Sequence, residues 1–103
     1  MFVKIYQYHI QKDREDEYLM IQEKTSKIYA RYFDFHIVYL NSKVDETKWI
    51  EIARYKDEEE YNKSLNIINE QKEIQELFKI FQSLLVVGKS EISEEDFIEK
   101  FTL

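Results

Sequence analysis

Three stretches of this chain alternate with a period of two residues and carry large apolar side chains on both faces of that alternation. In Phe2 to Ile10, Tyr6 and Tyr8 oppose Val3 and Ile5. In Phe33 to Asn41, Phe35 and Ile37 oppose Val38 and Leu40. In Lys48 to Lys56, Trp49 and Tyr55 oppose Ile50 and Ile52. A strand with one solvated face reads polar on that face. These strands do not, so the sheet they form has to be covered twice. Helices can supply one cover, and a second layer must supply the other.

Helical patterns lie between the strands. Asp13 is placed to cap a helix, with Glu15, Asp16 and Glu17 in its first turn, where the helix dipole favours negative charge. Tyr18, Ile21, Thr25, Ile28, Tyr29 and Tyr32 form its inward stripe, which Leu19 and Met20 widen. After the third strand, Asp57 to Glu60 reads as a capping box. The pattern that follows has two faces: Tyr61, Leu65 and Ile68, then Ile74, Leu77, Phe78, Phe81, Leu84 and Leu85. At about 100° per residue these faces lie roughly 160–200° out of phase, which predicts a break near Asn69 to Lys72. Gly88, the only glycine, sits where a helix C-cap belongs. The tail alternates at Phe97, Glu99, Phe101 and Leu103, and also fits a capped helical turn over Ser93 to Phe101. A strand over Glu95 to Thr102 completes the fold and is the reading adopted.

The resulting order is βαββαβ, an α+β ferredoxin-like fold with a four-stranded antiparallel sheet, in one domain spanning residues 1–103. Two helices cover one face of that sheet. The other face, left apolar, is best covered by the same face of a second copy, giving a homodimer. The competing cover is the C-terminal tail.

Composition removes several functions. There is no cysteine, so disulfides and thiolate metal sites are excluded. The net charge of −6, with Lys and Arg interleaved among acids, argues against nucleic acid and anionic membrane as partners. No apolar run approaches the ~20 residues of a membrane span, and no leader precedes the first strand, so a cytoplasmic location is expected. With one glycine and no proline, a glycine-rich phosphate loop is absent, as are a nucleophile elbow and an HExxH motif.

The two histidines, His9 and His36, fall on the first and second strands. In this strand order a third strand separates them by about 9.5 Å, and no metal site is expected. Either could act alone as a general base. Trp49 could stack on a flat ligand or fill the core. Tyr6, Tyr8, Tyr39 and Tyr55 could donate hydrogen bonds. Glu51 shares a face with Trp49; if buried, it must pair, with Lys4 as the candidate, or stay protonated.

The segment Trp49 to Leu65, WIEIARYKDEEEYNKSL, resembles the antibiotic-biosynthesis-monooxygenase-like domains of the dimeric α+β barrel superfamily. In that family an aromatic residue ends the third strand and an acidic cap starts the second helix; Tyr55, Asp57, Tyr61 and Leu65 match this layout. The chain departs from the pattern at Ala53, where many members carry Glu, and at Ser64, where many carry His. Haem-degrading members use an Asn on the first strand and a Trp and a His on the second helix; here the first strand has Gln7 and the second helix has neither. The resemblance implies the fold and the dimeric barrel, and needs no cofactor.

Two functions are therefore expected in order. The first is a small ligand-binding or regulatory homodimer with an aromatic pocket. The second is a cofactor-independent monooxygenase acting on a polycyclic phenol or quinol. The latter would use His9 or His36 as proton acceptor, Gln7 and Tyr39 to orient the substrate, and Trp49 as a stacking wall.

Overall fold

The computed structural model describes all residues, 1–103. Strand β1 (Phe2–His9) leads through a single 3-10 turn at Lys12–Arg14 into helix α1 (Glu15–Tyr29). Strands β2 (Phe35–Asn41) and β3 (Lys48–Tyr55) form a hairpin, helices α2 (Glu58–Asn69) and α3 (Lys72–Ser83) follow, and β4 (Ser93–Ile98) closes the chain. The sheet is four-stranded and antiparallel, in the order β2-β3-β1-β4. This is the ferredoxin-like arrangement, with the second helix split in two.

The break falls where the phase of the apolar stripe changes. Ile68 closes the buried face of α2, and Ile74, Leu77 and Phe81 open that of α3. One continuous helix would have turned one of these sets to solvent. Asp57 caps α2, its Oδ1 accepting from the Glu60 backbone N–H at 2.8 Å. Asp13 does not cap α1: it lies inside the 3-10 turn, and α1 starts behind Arg14 with no side-chain cap. The α1 stripe is also narrower than expected. Tyr18, Ile21, Gln22 and Ile28 are buried, whereas Leu19 and Met20 are exposed. Gly88 is not a helix cap, because α3 ends at Ser83. It takes φ +84° in the turn from Val86 to Lys89, closed by the Lys89 N–H donating to the Val86 carbonyl at 2.9 Å. A positive φ at that position is what glycine supplies without steric cost.

The register sorts the side chains into two layers. Rows running across the sheet toward the helices include Tyr39–Glu51–Tyr6–Glu94 and Phe35–Tyr55–Phe2–Ile98. At one end, Tyr55 packs against Tyr61 and Phe33 with ring centroids 4.6 and 5.1 Å apart. At the other, Tyr8 meets Phe81 edge-on at 4.9 Å. The opposite face carries the rows Val38–Ile52–Ile5 and Leu40–Ile50–Gln7, with Phe97 beside Val3. No element of the chain lies over it. Val38, Leu40 and Phe97 are 37%, 47% and 42% exposed. The tail does not form a lid: Phe101 and Leu103 are exposed. No helix is long and apolar enough to cross a membrane.

Ile68 is completely buried. Ile68→Ala is expected to cost about 2–4 kcal/mol in urea unfolding, through lost burial and the cavity left behind. Met20→Ala, at an exposed position of α1, is expected to stay within about 0.5 kcal/mol of the parent.

Candidate functional site

Between the sheet and the helices the aromatic layer does not close. It leaves a cavity of about 490 Å³. Small-molecule sites commonly fall between about 300 and 1,000 Å³. The floor comes from Tyr6 and Tyr8 of β1, Phe35, Ile37 and Tyr39 of β2, and Glu51 and Tyr55 of β3. The walls come from Ile21, Gln22 and Tyr29 of α1 and from Leu77, Phe78 and Phe81 of α3, with Tyr61 and Leu65 of α2 at one end. Phe78 is half exposed, at 51%, and stands at the rim.

Glu51 is the chemically distinctive group. Alternation along β3 places it on the helix side, between Tyr39 and Tyr6 of the neighbouring strands. Its Oε2 accepts from the Tyr8 hydroxyl at 2.9 Å. That hydroxyl has one proton, so the 2.6 Å contact between Tyr8 and Tyr18 is Tyr18 donating to Tyr8. Gln22 Nε2 also donates to Tyr8, at 3.5 Å, and Gln22 Oε1 accepts from Tyr39 at 3.2 Å. The result is a directed relay from Tyr18 through Tyr8 to Glu51. No protein donor reaches Oε1, and no buried side-chain polar atom is left unpartnered, so Oε1 stays accessible on a residue that lines the cavity. Burial raises the Glu51 carboxyl from 4.5 to about 7, against the smaller opposing effect of the Tyr8 hydrogen bond. Burial likewise pushes up the hydroxyls of Tyr8, Tyr18 and Tyr39, which remain neutral donors.

Lys4 does not pair with Glu51. Its Nζ lies 2.7 Å from both Glu94 Oε1 and Asp96 Oδ1 on β4, and 5.2 Å from the centroid of the Tyr61 ring.

The residues singled out from the sequence are distributed over both sides of the sheet. Tyr39 lines the cavity. Trp49 is on the same sheet face but buried behind the cavity wall, its ring 4.7 Å from Tyr18. Gln7, His9 and His36 alternate out of register with Tyr6, Tyr8, Phe35 and Ile37, so they point away from the cavity. His36 is exposed. His9 Nδ1 is 3.0 Å from Thr47 Oγ1, whose own proton goes to Asp45 Oδ1 at 2.8 Å. The His9 ring N–H is therefore the donor in that contact, and His9 ties the end of β1 to the β2–β3 loop. No three His, Cys, Asp or Glu side chains converge as metal ligands. Gln22 had no signal in the sequence beyond its helical spacing from Tyr18, which puts both on one face of α1.

No protein-family model matches the chain, and no curated protein matches it significantly. Solved structures do match. SnoaB, a cofactor-independent oxygenase from Streptomyces nogalater, superposes with a TM-score of 0.75 at 14% identity, covering 99% of this chain and 95% of that one. A NIPSNAP domain protein of uncharacterised function from Burkholderia xenovorans gives 0.75 at 14% identity, over 96% and 94% of the two chains. A candidate antibiotic biosynthesis monooxygenase from Deinococcus radiodurans gives 0.74 at 3% identity, over 100% and 96%. Over its full length, then, this chain shares the fold of these oxygenase and NIPSNAP domain structures.

Proposed function

We propose that this protein is a small homodimer that binds a compact ring-bearing ligand in the cavity between sheet and helices, held by a hydrogen bond to Glu51. The observation that carries this reading is the free Oε1 of Glu51, a residue lining a cavity of about 490 Å³ otherwise walled by aromatic and aliphatic side chains. Apolar walls supply affinity, and one polar group fixes orientation. The dimer forms through the opposite sheet face, where Ile5, Val38, Leu40, Ile50 and Ile52 would otherwise remain in water.

A second reading follows from the carboxyl being pushed up to about 7. A carboxylate balanced near neutrality can take the proton of a phenol or quinol. The resulting electron-rich anion then reduces dioxygen itself. A ring methylene becomes a carbonyl and the second oxygen atom leaves as water, with no cofactor. The fold shared with SnoaB supports this reading, and the cavity-facing base for it is Glu51. His9 and His36, on the other face, would then serve the dimer rather than the proton transfer.

Three measurements test these statements. Sedimentation at tens of micromolar is expected to give a dimer, and Ile52→Lys a monomer; a monomeric parent protein removes the dimer. Dioxygen uptake with hydroxylated tricyclic quinols separates the two readings: uptake abolished by Glu51→Gln but kept in His36→Ala supports the oxygenase, and no uptake with any of them leaves the binding protein. The pH dependence of stability tests the carboxyl. Because its folded value lies above its unfolded one, Glu51 favours the fold below pH 4.5, and that contribution disappears as pH rises through about 7. Glu51→Gln is expected to be more stable than the parent at about pH 8, by roughly 2–3 kcal/mol, and to lose this advantage at about pH 4.5. Parallel curves for the two proteins would show that the carboxyl is not buried as described.

A further inference from the structure

The cavity is one-sided in charge. Among its lining residues only Glu51 and Glu94 carry a formal charge, and none is Lys, Arg or His. Glu94 is already ion-paired with Lys4, at 2.7 Å, which it shares with Asp96. Glu51 is not: its partners are the neutral Tyr8 and, beyond it, Tyr18 and Gln22. A carboxylate held in low dielectric without a counter-charge is costly, and a cation brought to it recovers that cost. Around Glu51 the surfaces are ring faces and edges. Tyr39 and Tyr6 flank it on the neighbouring strands, and Tyr29 and Phe81 stand on the helices across the cavity. Aromatic rings around a carboxylate favour an organic cation through cation–π attraction.

From this geometry we infer that the natural occupant carries a protonated amine on an apolar, ring-sized body, with the ammonium at Glu51 Oε1 and the body between Tyr29, Phe81 and the sheet. The inference rests on the cavity being a ligand site and specifies which ligand it takes. The same sheet face already holds one cation in this manner. Lys4 Nζ is bound by two carboxylates and lies 5.2–5.9 Å from the ring centroids of Phe2, Tyr6 and Tyr61. An ammonium needs only the free Oε1, whereas a guanidinium fork would have to share Oε2 with Tyr8. No group of three His, Cys, Asp or Glu side chains converges around Glu51 to ligate a bare metal ion.

The test uses three probes of equal body and different head group: naphthylmethylamine, naphthalenemethanol and naphthoic acid. Binding to the full-length protein is measured by calorimetry at about pH 8, where both the amine and Glu51 are charged. The expected order is amine first, the alcohol at least about tenfold weaker, and the acid weakest. Glu51→Gln keeps an acceptor for Tyr8. It is expected to weaken the amine at least about tenfold and leave the alcohol within about threefold. Equal binding of amine and alcohol, a preference for the acid, or an amine affinity untouched by Glu51→Gln overturns the inference while leaving the cavity a ligand site. If the parent protein binds none of the three, both this inference and the binding function are overturned.

Discussion

Packing of large aromatic rings against the central strand β1 organises everything on the helix side of the sheet. β1 is hydrogen-bonded on both edges, to β3 and β4, and presents Phe2, Tyr6 and Tyr8 to the helices. Each ring buries on the order of 150–250 Å², so a short chain can assemble a core from few residues. Rings that size also fill space coarsely. They meet edge-on or tilted, as Tyr8 does with Phe81 and Tyr55 with Tyr61, and stiff plates meeting at angles leave gaps that aliphatic chains would have filled. The cavity is one such gap. Its rim follows from the break between α2 and α3, which turns α3 inward over β1 while α2 closes the far end through Tyr61.

Into this layer the chain places one acid. Glu51 has no lysine or arginine to meet, and the surrounding hydroxyls are arranged to donate toward it in series. That arrangement satisfies one carboxylate oxygen and leaves the other accessible. A carboxylate with a purely structural role would be ion-paired, as Glu94 and Asp96 are with Lys4. The difference between these acids lies in their partners, since all three point to the same side of the sheet.

The two sheet faces answer different demands. The helix side is a mixed aromatic and polar layer around a cavity. The other side is aliphatic, with Val38, Ile52 and Ile5 in one row and Leu40 and Ile50 in the next. Branched aliphatic side chains pack densely between stacked sheets. The polar members of that face, among them His9, His36, Gln7, Lys48, Arg54 and Glu95, lie away from the cavity. Arg54 is held by Glu99, with its Nη2 2.6 Å from Oε1. Shape and chemistry thus separate along the strand alternation, an aromatic layer around a cavity on one side and a largely aliphatic layer on the other.

Much of this was legible in the residues alone. Period-two alternation marked β1, β2 and β3. The phase change between Ile68 and Ile74 marked the break, and the doubly apolar strands marked a sheet with apolar rows on both faces. These are local properties: alternation and helical phase depend only on backbone geometry. Asp13, Leu19, Met20 and Gly88 behaved otherwise, because whether a residue caps, packs or turns depends on where neighbouring elements arrive. The site was less legible for the same reason. The sequence placed Glu51 on the face of Trp49 and Tyr39 on that of Phe35 and Ile37. Which face the helices would cover, and therefore that Gln7, His9 and His36 lie away from the cavity, was decided by tertiary packing. Both faces were apolar, so hydrophobicity could not choose between them. The choice fell to volume and hydrogen bonding: only the helix layer offered Tyr18 and Gln22 to complete the chain of donors ending at Glu51.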